Sequence, residues 1–123
     1  VRLMIPAIPD KKFVYMVAET YWGDLLRHGV KIYKYTPGFL HAKSVMADRE
    51  AALIGSTNMD YRSFIFHFEC GAWICDNKTV LDVKAQFEEI FKISEEIKTG
   101  EWKKRPLMLR LKQSILHIFA PFM

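Results

Sequence analysis

Leu40-His41-Ala42-Lys43-Ser44-Val45-Met46-Ala47 is followed by Asp48-Arg49-Glu50 and then by Ala51-Ala52-Leu53-Ile54-Gly55-Ser56-Thr57-Asn58. Two short apolar runs about a three-residue polar break have the length of a β-hairpin. Pairing Ala47 with Ala51 across the break sets Lys43 opposite Gly55 and His41 opposite Thr57. Residues two apart in a strand face the same way, so His41 and Lys43 project together, and Ser56 and Asn58 are expected beside them at the same end of the hairpin. An imidazole, an ammonium, a hydroxyl and a carboxamide then converge next to Gly55, whose missing side chain leaves room for a ligand.

The flanking segments extend the pattern. Val1 to Ile5 reads as a buried strand ended by Pro6 and Pro9. Phe13, Val14, Val17, Tyr21 and Leu25 then keep helical spacing from Asp10 or Lys11 to about His28, with Asp10 in the N-cap position and Gly29 as the stop. Val30 to Tyr35 is a second strand, and Pro37-Gly38 a turn. After the hairpin, Asn58 to Phe64 is a turn or short helix and Glu69 to Cys75 a strand. Lys78 to Lys98 is a long helix carrying Val80, Val83, Phe87, Ile90, Phe91 and Ile97 on one side. Strands alternating with helices predict an α/β fold, a mixed β-sheet flanked by helices. A chain of 123 residues is one domain at most.

The +4 formal charge is unevenly placed. Residues 1–100 balance thirteen basic groups against thirteen acidic ones, whereas residues 101–123 hold Lys103, Lys104, Arg105, Arg110 and Lys112 against Glu101 alone. A nucleic-acid binder would line the body of its fold with basic residues, so this distribution predicts no nucleic-acid partner. In the same tail Leu107, Leu111, Ile115, Ile118, Phe119 and Phe122 keep helical spacing after Pro106, which suits the first helical position. Such a helix fits an anionic membrane interface, or equally an apolar face of another part of the protein. No apolar run reaches the roughly 20 residues of a membrane-spanning helix, and no signal-peptide pattern opens the chain. The chain enters a strand directly at Val1, as an excised piece of a longer protein would. Cys70 and Cys75, five residues apart in one strand, would lie roughly 16 Å apart, too far for a disulfide. They read as free thiols on a reducing, cytoplasmic side, and as small core residues.

The hairpin constellation suits a phosphodiester. Lys43 supplies fixed positive charge, and Ser56 and Asn58 can donate to non-bridging oxygens where charge builds in the transition state. His41 can attack phosphorus when neutral or protonate a leaving oxygen when charged. Glu69, opening the next strand, can accept a bond from the other ring nitrogen and orient the imidazole. Asp48 sits in the hairpin loop away from His41, where turn-making is its expected role. Asp60 and Arg62 suit anchoring of the following loop as well as substrate contact. His28 suits a helix C-terminus, and His67, two residues before Glu69, shares its face.

His41-x-Lys43-x4-Asp48-x6-Gly55-Ser56-x-Asn58, with Glu69 beyond it, resembles the HKD motif of the phospholipase D superfamily. Gly38-Phe39-Leu40-His41-Ala42-Lys43 and Asn58-Met59-Asp60-Tyr61-Arg62-Ser63-Phe64 are similar to the second such motif of bacterial cardiolipin synthases, as is the ending, Lys104-Arg105-Pro106 before an amphipathic stretch. His67 departs from that pattern, where Asn is expected. The resemblance implies a phospholipase D-like half-domain over residues 1–100, followed by a basic amphipathic tail over 101–123. It implies a catalytic set of His41, Lys43, Asp48, Ser56, Asn58 and Glu69, with no metal and no cofactor. It further implies a phosphatidyl transferase at the bacterial cell membrane that makes cardiolipin and glycerol from two phosphatidylglycerol molecules through a phosphohistidine. Two motifs face one another in that family, and this chain carries one, so the other half or a second subunit is the implied partner. Rival expectations are a phospholipase D hydrolase, a phosphodiester nuclease working as a dimer, and a membrane-associating module that is inert alone.

Overall fold

Arg2–Pro6 (β1) and Lys31–Tyr35 (β2) pair in parallel, Leu3 against Ile32, and Lys12–Arg27 (α1) is the crossover between them. A computed structural model describes residues 1–122. For Glu101, Lys103 and Phe122 it describes the backbone alone, so the side-chain places predicted for Lys103 and Phe122, and Met123 at the end of the tail, lie outside the described residues. Ser44–Ala47 (β3), Ala51–Gly55 (β4) and Gly71–Cys75 (β5) follow, then Lys78–Lys92 (α2), Ser94–Glu96 (β6), Thr99–Lys103 (α3) and Leu107–His117 (α4). The α/β class is as predicted, and the strands fall into two three-stranded sheets, β1-β2-β6 and β3-β4-β5. The chain gathers into two compact units, His41–Lys92 and the combination of Val1–Leu40 with the segment from Ile93 on.

In the unit containing both termini, β2 is central and its Ile32 is fully buried, worth about 1.5–3 kcal/mol. Val17 and Trp22 are the buried residues of α1. Trp22 meets Tyr15 edge-on at 5.6 Å and Trp102 at 5.2 Å. Burial first, and then the Glu19 carboxylate, push the Tyr15 phenol up to about 12. The predicted stripe is therefore rotated: Phe13 at its start is 63 % exposed, because the side that packs is set by Val17 and Trp22. Asp10 lies one residue before the cap position of α1. The cap position falls on Lys11, which has no side-chain cap bond. The other end is as read from the sequence: Gly29 takes φ 82°, and the His28 ring lies 2.8 Å from the Asp24 carbonyl.

The long helix predicted over 78–98 stops at Lys92. Ser94–Glu96 instead runs antiparallel to β2, and the Ile97 amide donates to the Ile32 carbonyl at 2.8 Å. The open edge of β2 offers these residues backbone partners that helical periodicity alone does not reveal. Pro106 is likewise the residue before α4 and not its first turn.

In the unit 41–92, β4 is the central strand and Ala52 is buried in it. Helix α2 packs on β4 and β5 with Val80 and Val83 inward. Asn77 caps it, its side-chain oxygen accepting from the Thr79 amide at 3.0 Å. Cys70 and Cys75 are free thiols, as expected, but both are exposed and neither is a core residue. Along β5 only Ile74 is even half-buried, so the strand has no closed face in which a cysteine could sit.

Candidate active site

The hairpin adopts the register read from its loop: Ala47 pairs with Ala51, Val45 with Leu53 and Ser44 with Ile54. The Gly55 amide donates to the Lys43 carbonyl at 3.1 Å, so the pairing continues past the end of β3. Asp48 makes the turn with φ 54°, a left-handed conformation that Asp tolerates better than most residues. Five residues of strand separate it from Lys43, roughly 16 Å. His41 and Lys43 lie at the far end of the hairpin, and there Lys43 Nζ is 3.1 Å from His41 Nε2 and 3.2 Å from the His41 carbonyl oxygen. An ammonium has no lone pair, so Lys43 donates and Nε2 accepts. A bond in this direction uses the Nε2 lone pair, which points toward fixed positive charge.

On the opposite strand the β4–β5 ladder carries Ser56 to Glu69. The Ser56 amide donates to the Cys70 carbonyl at 2.9 Å, and the Cys70 amide donates to Ser56 Oγ at 3.0 Å. The Ser56 hydroxyl donates in turn to the Glu69 carboxylate. Ser63 provides a second hydroxyl to Glu69, and these two bonds, ahead of the nearby His67 and Lys43 charges, hold the carboxyl below its ordinary range. Glu69 is thus held anionic chiefly by the two hydroxyls, with the Lys43 charge the smallest contribution. The sequence pointed the Ser56 proton at a phosphate oxygen, whereas here it is directed at Glu69.

Ser63 is the residue that sequence reasoning passed over. It is 7 % exposed, accepts from the Asn58 amide at 3.1 Å, and donates to Glu69. Asp60 holds it in place by accepting from the Ser63 amide at 2.8 Å. The spacing Asp60-x-x-Ser63 is that of a cap and the third residue after it, which was the available signal. Arg62–Phe66 is one wide helical turn closed from the His67 amide to the Arg62 carbonyl at 2.8 Å. Three residues separate it from Asn58, and the bond from the Asn58 amide to Ser63 Oγ ties the two together in one loop. Asp60 acts in this loop as an anchor, and Arg62 and His67 are exposed.

Gly55 meets a second requirement that the sequence did not show. A side chain there would meet the backbone of the neighbouring strand, its Cβ standing 2.3 Å from the Cys70 carbonyl oxygen and 2.6 Å from Gly71 Cα. Gly55 and Gly71 face each other across the ladder, and glycine is required for the strands to approach. A hollow of about 50 Å³ lies beside Lys43, and Gly55 is part of its wall together with Val45, Leu53, Thr57, Met59 and Phe64. Among the described residues no three His, Cys, Asp or Glu side chains are grouped as metal ligands.

Residues 1–91 match the family described as "Cardiolipin synthase, PLD-like domain". The whole chain is 38 % identical to the major cardiolipin synthase of Bacillus subtilis, covering 26 % of that protein. It is 37 % identical to a cardiolipin synthase of Clostridium perfringens, again over the whole chain and 26 % of the relative. An uncharacterized protein of Streptococcus mutans is 38 % identical over the whole chain and 27 % of its own length. The chain therefore spans about a quarter of the length of the curated relatives it matches. With three quarters of its residues inside one family match, the chain belongs to the phospholipase D-like domain family of cardiolipin synthases.

Proposed function

We propose that this chain supplies one of the two HKD motifs of a phosphatidyl transferase that joins two phosphatidylglycerol molecules into cardiolipin and releases glycerol. The observation that carries the reading is the pair His41 Nε2 and Lys43 Nζ at 3.1 Å. An imidazole beside a fixed cation suits attack on, or proton transfer at, an anionic phosphodiester. Similarity to cardiolipin synthases supports the choice of substrate.

One of two facing imidazoles attacks phosphorus through nitrogen, and the P–O bond to the glycerol headgroup breaks. The other imidazole protonates the departing alkoxide, so glycerol leaves neutral. The second imidazole, now deprotonated, takes the proton from a hydroxyl of a second phosphatidylglycerol. That oxygen attacks the phosphohistidine, the N–P bond breaks, and cardiolipin is complete. His41 is one of these imidazoles, and its counterpart comes from another part of the same protein or from a second subunit. Lys43 and Asn58 bind the non-bridging oxygens. Ser56, Ser63 and the anionic Glu69 position the strand end and balance the Lys43 charge. Asp48, in the remote turn, shapes the hairpin and touches no reacting group. The catalytic half-domain occupies residues 1–100 in this reading, with the basic tail over 101–123.

Product analysis tests this reading. Phosphatidylglycerol vesicles incubated with the complete protein should yield cardiolipin and glycerol in equal amounts. Phosphatidic acid as the sole lipid product would replace the transferase with a hydrolase.

A further inference from the structure

Helix α4 packs inward by an unexpected side. Gln113 is 3 % exposed and is clamped from two directions: Arg105 donates to its oxygen at 2.6 Å, and its amide donates to Glu19 of α1 at 2.8 Å. His117, one turn on, lies 2.6 Å from Thr20 Oγ1 of α1. Thr20 gives its own proton to the Val17 carbonyl, so His117 Nδ1 donates to Thr20. These bonds fix the rotation of α4 about its axis. The opposite side, carrying Leu107, Met108, Leu111 and Ile115, is then between 55 % and 78 % exposed, and Ile118 just beyond the helix is 71 % exposed.

At about 100° per residue these side chains occupy an arc of roughly 100°. Lys112 borders one edge of the arc and Arg110 the other, both exposed, and α4 contains no acidic residue. Beyond the Lys112 edge, Phe13 and Met16 of α1 extend the apolar surface, forming with Lys112, Ile115 and Leu116 an open groove of about 280 Å³. Exposed Lys11 and Lys12 stand immediately before Phe13. An apolar stripe held outward by a buried polar clamp and flanked by Arg110, Lys112, Lys11 and Lys12 is complementary to a surface that is apolar beneath and anionic above.

We propose that the outward face of α4, with Phe13 of α1, is a docking surface for an anionic lipid bilayer. It lies on residues separate from His41 and Lys43 and does not depend on the phosphatidyl-transfer reading. The helix lies in the plane of the headgroups, with Leu107, Leu111 and Ile115 below and Arg110 and Lys112 at headgroup level.

Co-sedimentation of the full chain with vesicles of phosphatidylcholine plus phosphatidylserine, and with vesicles of phosphatidylcholine alone, tests this. Binding is expected to the first and not the second, and to be released as salt approaches about 1 M, where the Debye length falls to about 3 Å. The variant combining Leu107→Ser, Leu111→Ser and Ile115→Ser alters only exposed side chains. It should keep the helical circular dichroism of the parent and lose at least about tenfold in partitioning. Arg110→Glu with Lys112→Glu should lose the salt-sensitive part by a similar factor. His41→Ala should bind like the parent; loss there would move lipid binding to the catalytic end and overturn the proposal. So would equal affinity for neutral vesicles, or undiminished binding by the serine variant. A serine variant that changes sedimentation velocity but not vesicle binding would reassign the face to protein–protein contact.

Discussion

Replacing Gly55 with alanine adds a single methyl group, and the ladder gives it nowhere to go. The new Cβ stands 2.3 Å from the Cys70 oxygen and 2.6 Å from Gly71 Cα, both backbone atoms that cannot turn aside. Ordinary contact is regained only if β4 and β5 part by about 1 Å at this point. That shift stretches the Ser56–Cys70 backbone bond at 2.9 Å and the Cys70–Ser56 side-chain bond at 3.0 Å out of range. Overpacking costs about 1–3 kcal/mol, and each lost bond adds about 1 kcal/mol, so Gly55→Ala should destabilise the unit by about 3 kcal/mol or more. For a chain of this size that corresponds to a fall in melting temperature of roughly 10 °C. Thermal melts followed by circular dichroism, with amide exchange at Ser56 and Cys70, provide the readout. A change below about 2 °C, with those amides still protected, would refute the close-approach argument.

Three further outcomes follow from the same geometry. Glu69 should titrate below the ordinary glutamate range by carbon-detected NMR, and Ser56→Ala should move its pKa upward. Because the folded value is depressed, the bonds that hold Glu69 stabilise above the ordinary value and are lost as pH falls through the folded one. Asp48→Gly should be neutral or slightly stabilising and Asp48→Ala destabilising by about 1 kcal/mol in chemical denaturation, because φ is 54°; both should leave turnover intact once folded. Gln113→Ala, which strips partners from Arg105 and Glu19, should cost about 1–3 kcal/mol in the same assay.

The hairpin register was legible because two constraints act over a short stretch. A three-residue loop and period-two alternation leave one pairing, so Lys43 opposite Gly55 could be read without knowing the rest of the chain. The role of Gly55 was not legible, since it depends on how closely β5 approaches, and β5 begins sixteen residues later. The Ser63 contribution to Glu69 was hidden for a similar reason: it needs the wide turn over Arg62–Phe66, which no periodicity announces. In α1 and α4, apolar spacing showed that each helix has two sides but not which one packs. For α4 the choice falls to Gln113, whose partner Glu19 lies ninety-four residues away, and distant polar pairing leaves no local trace. The end of α2 at Lys92 was set by the open edge of β2 against a sequence with good helical spacing throughout.

The proposed chemistry rests on the His41 imidazole, and one measurement addresses it directly. The complete protein and its His41→Ala variant are each incubated with radiolabelled phosphatidylglycerol, and the lipid products are separated and counted. The variant should keep the parent's circular dichroism and melting temperature, because His41 is exposed, and form cardiolipin at least about a thousandfold more slowly. Cardiolipin formation at the parental rate by the folded variant would contradict the assignment of His41 to the reaction.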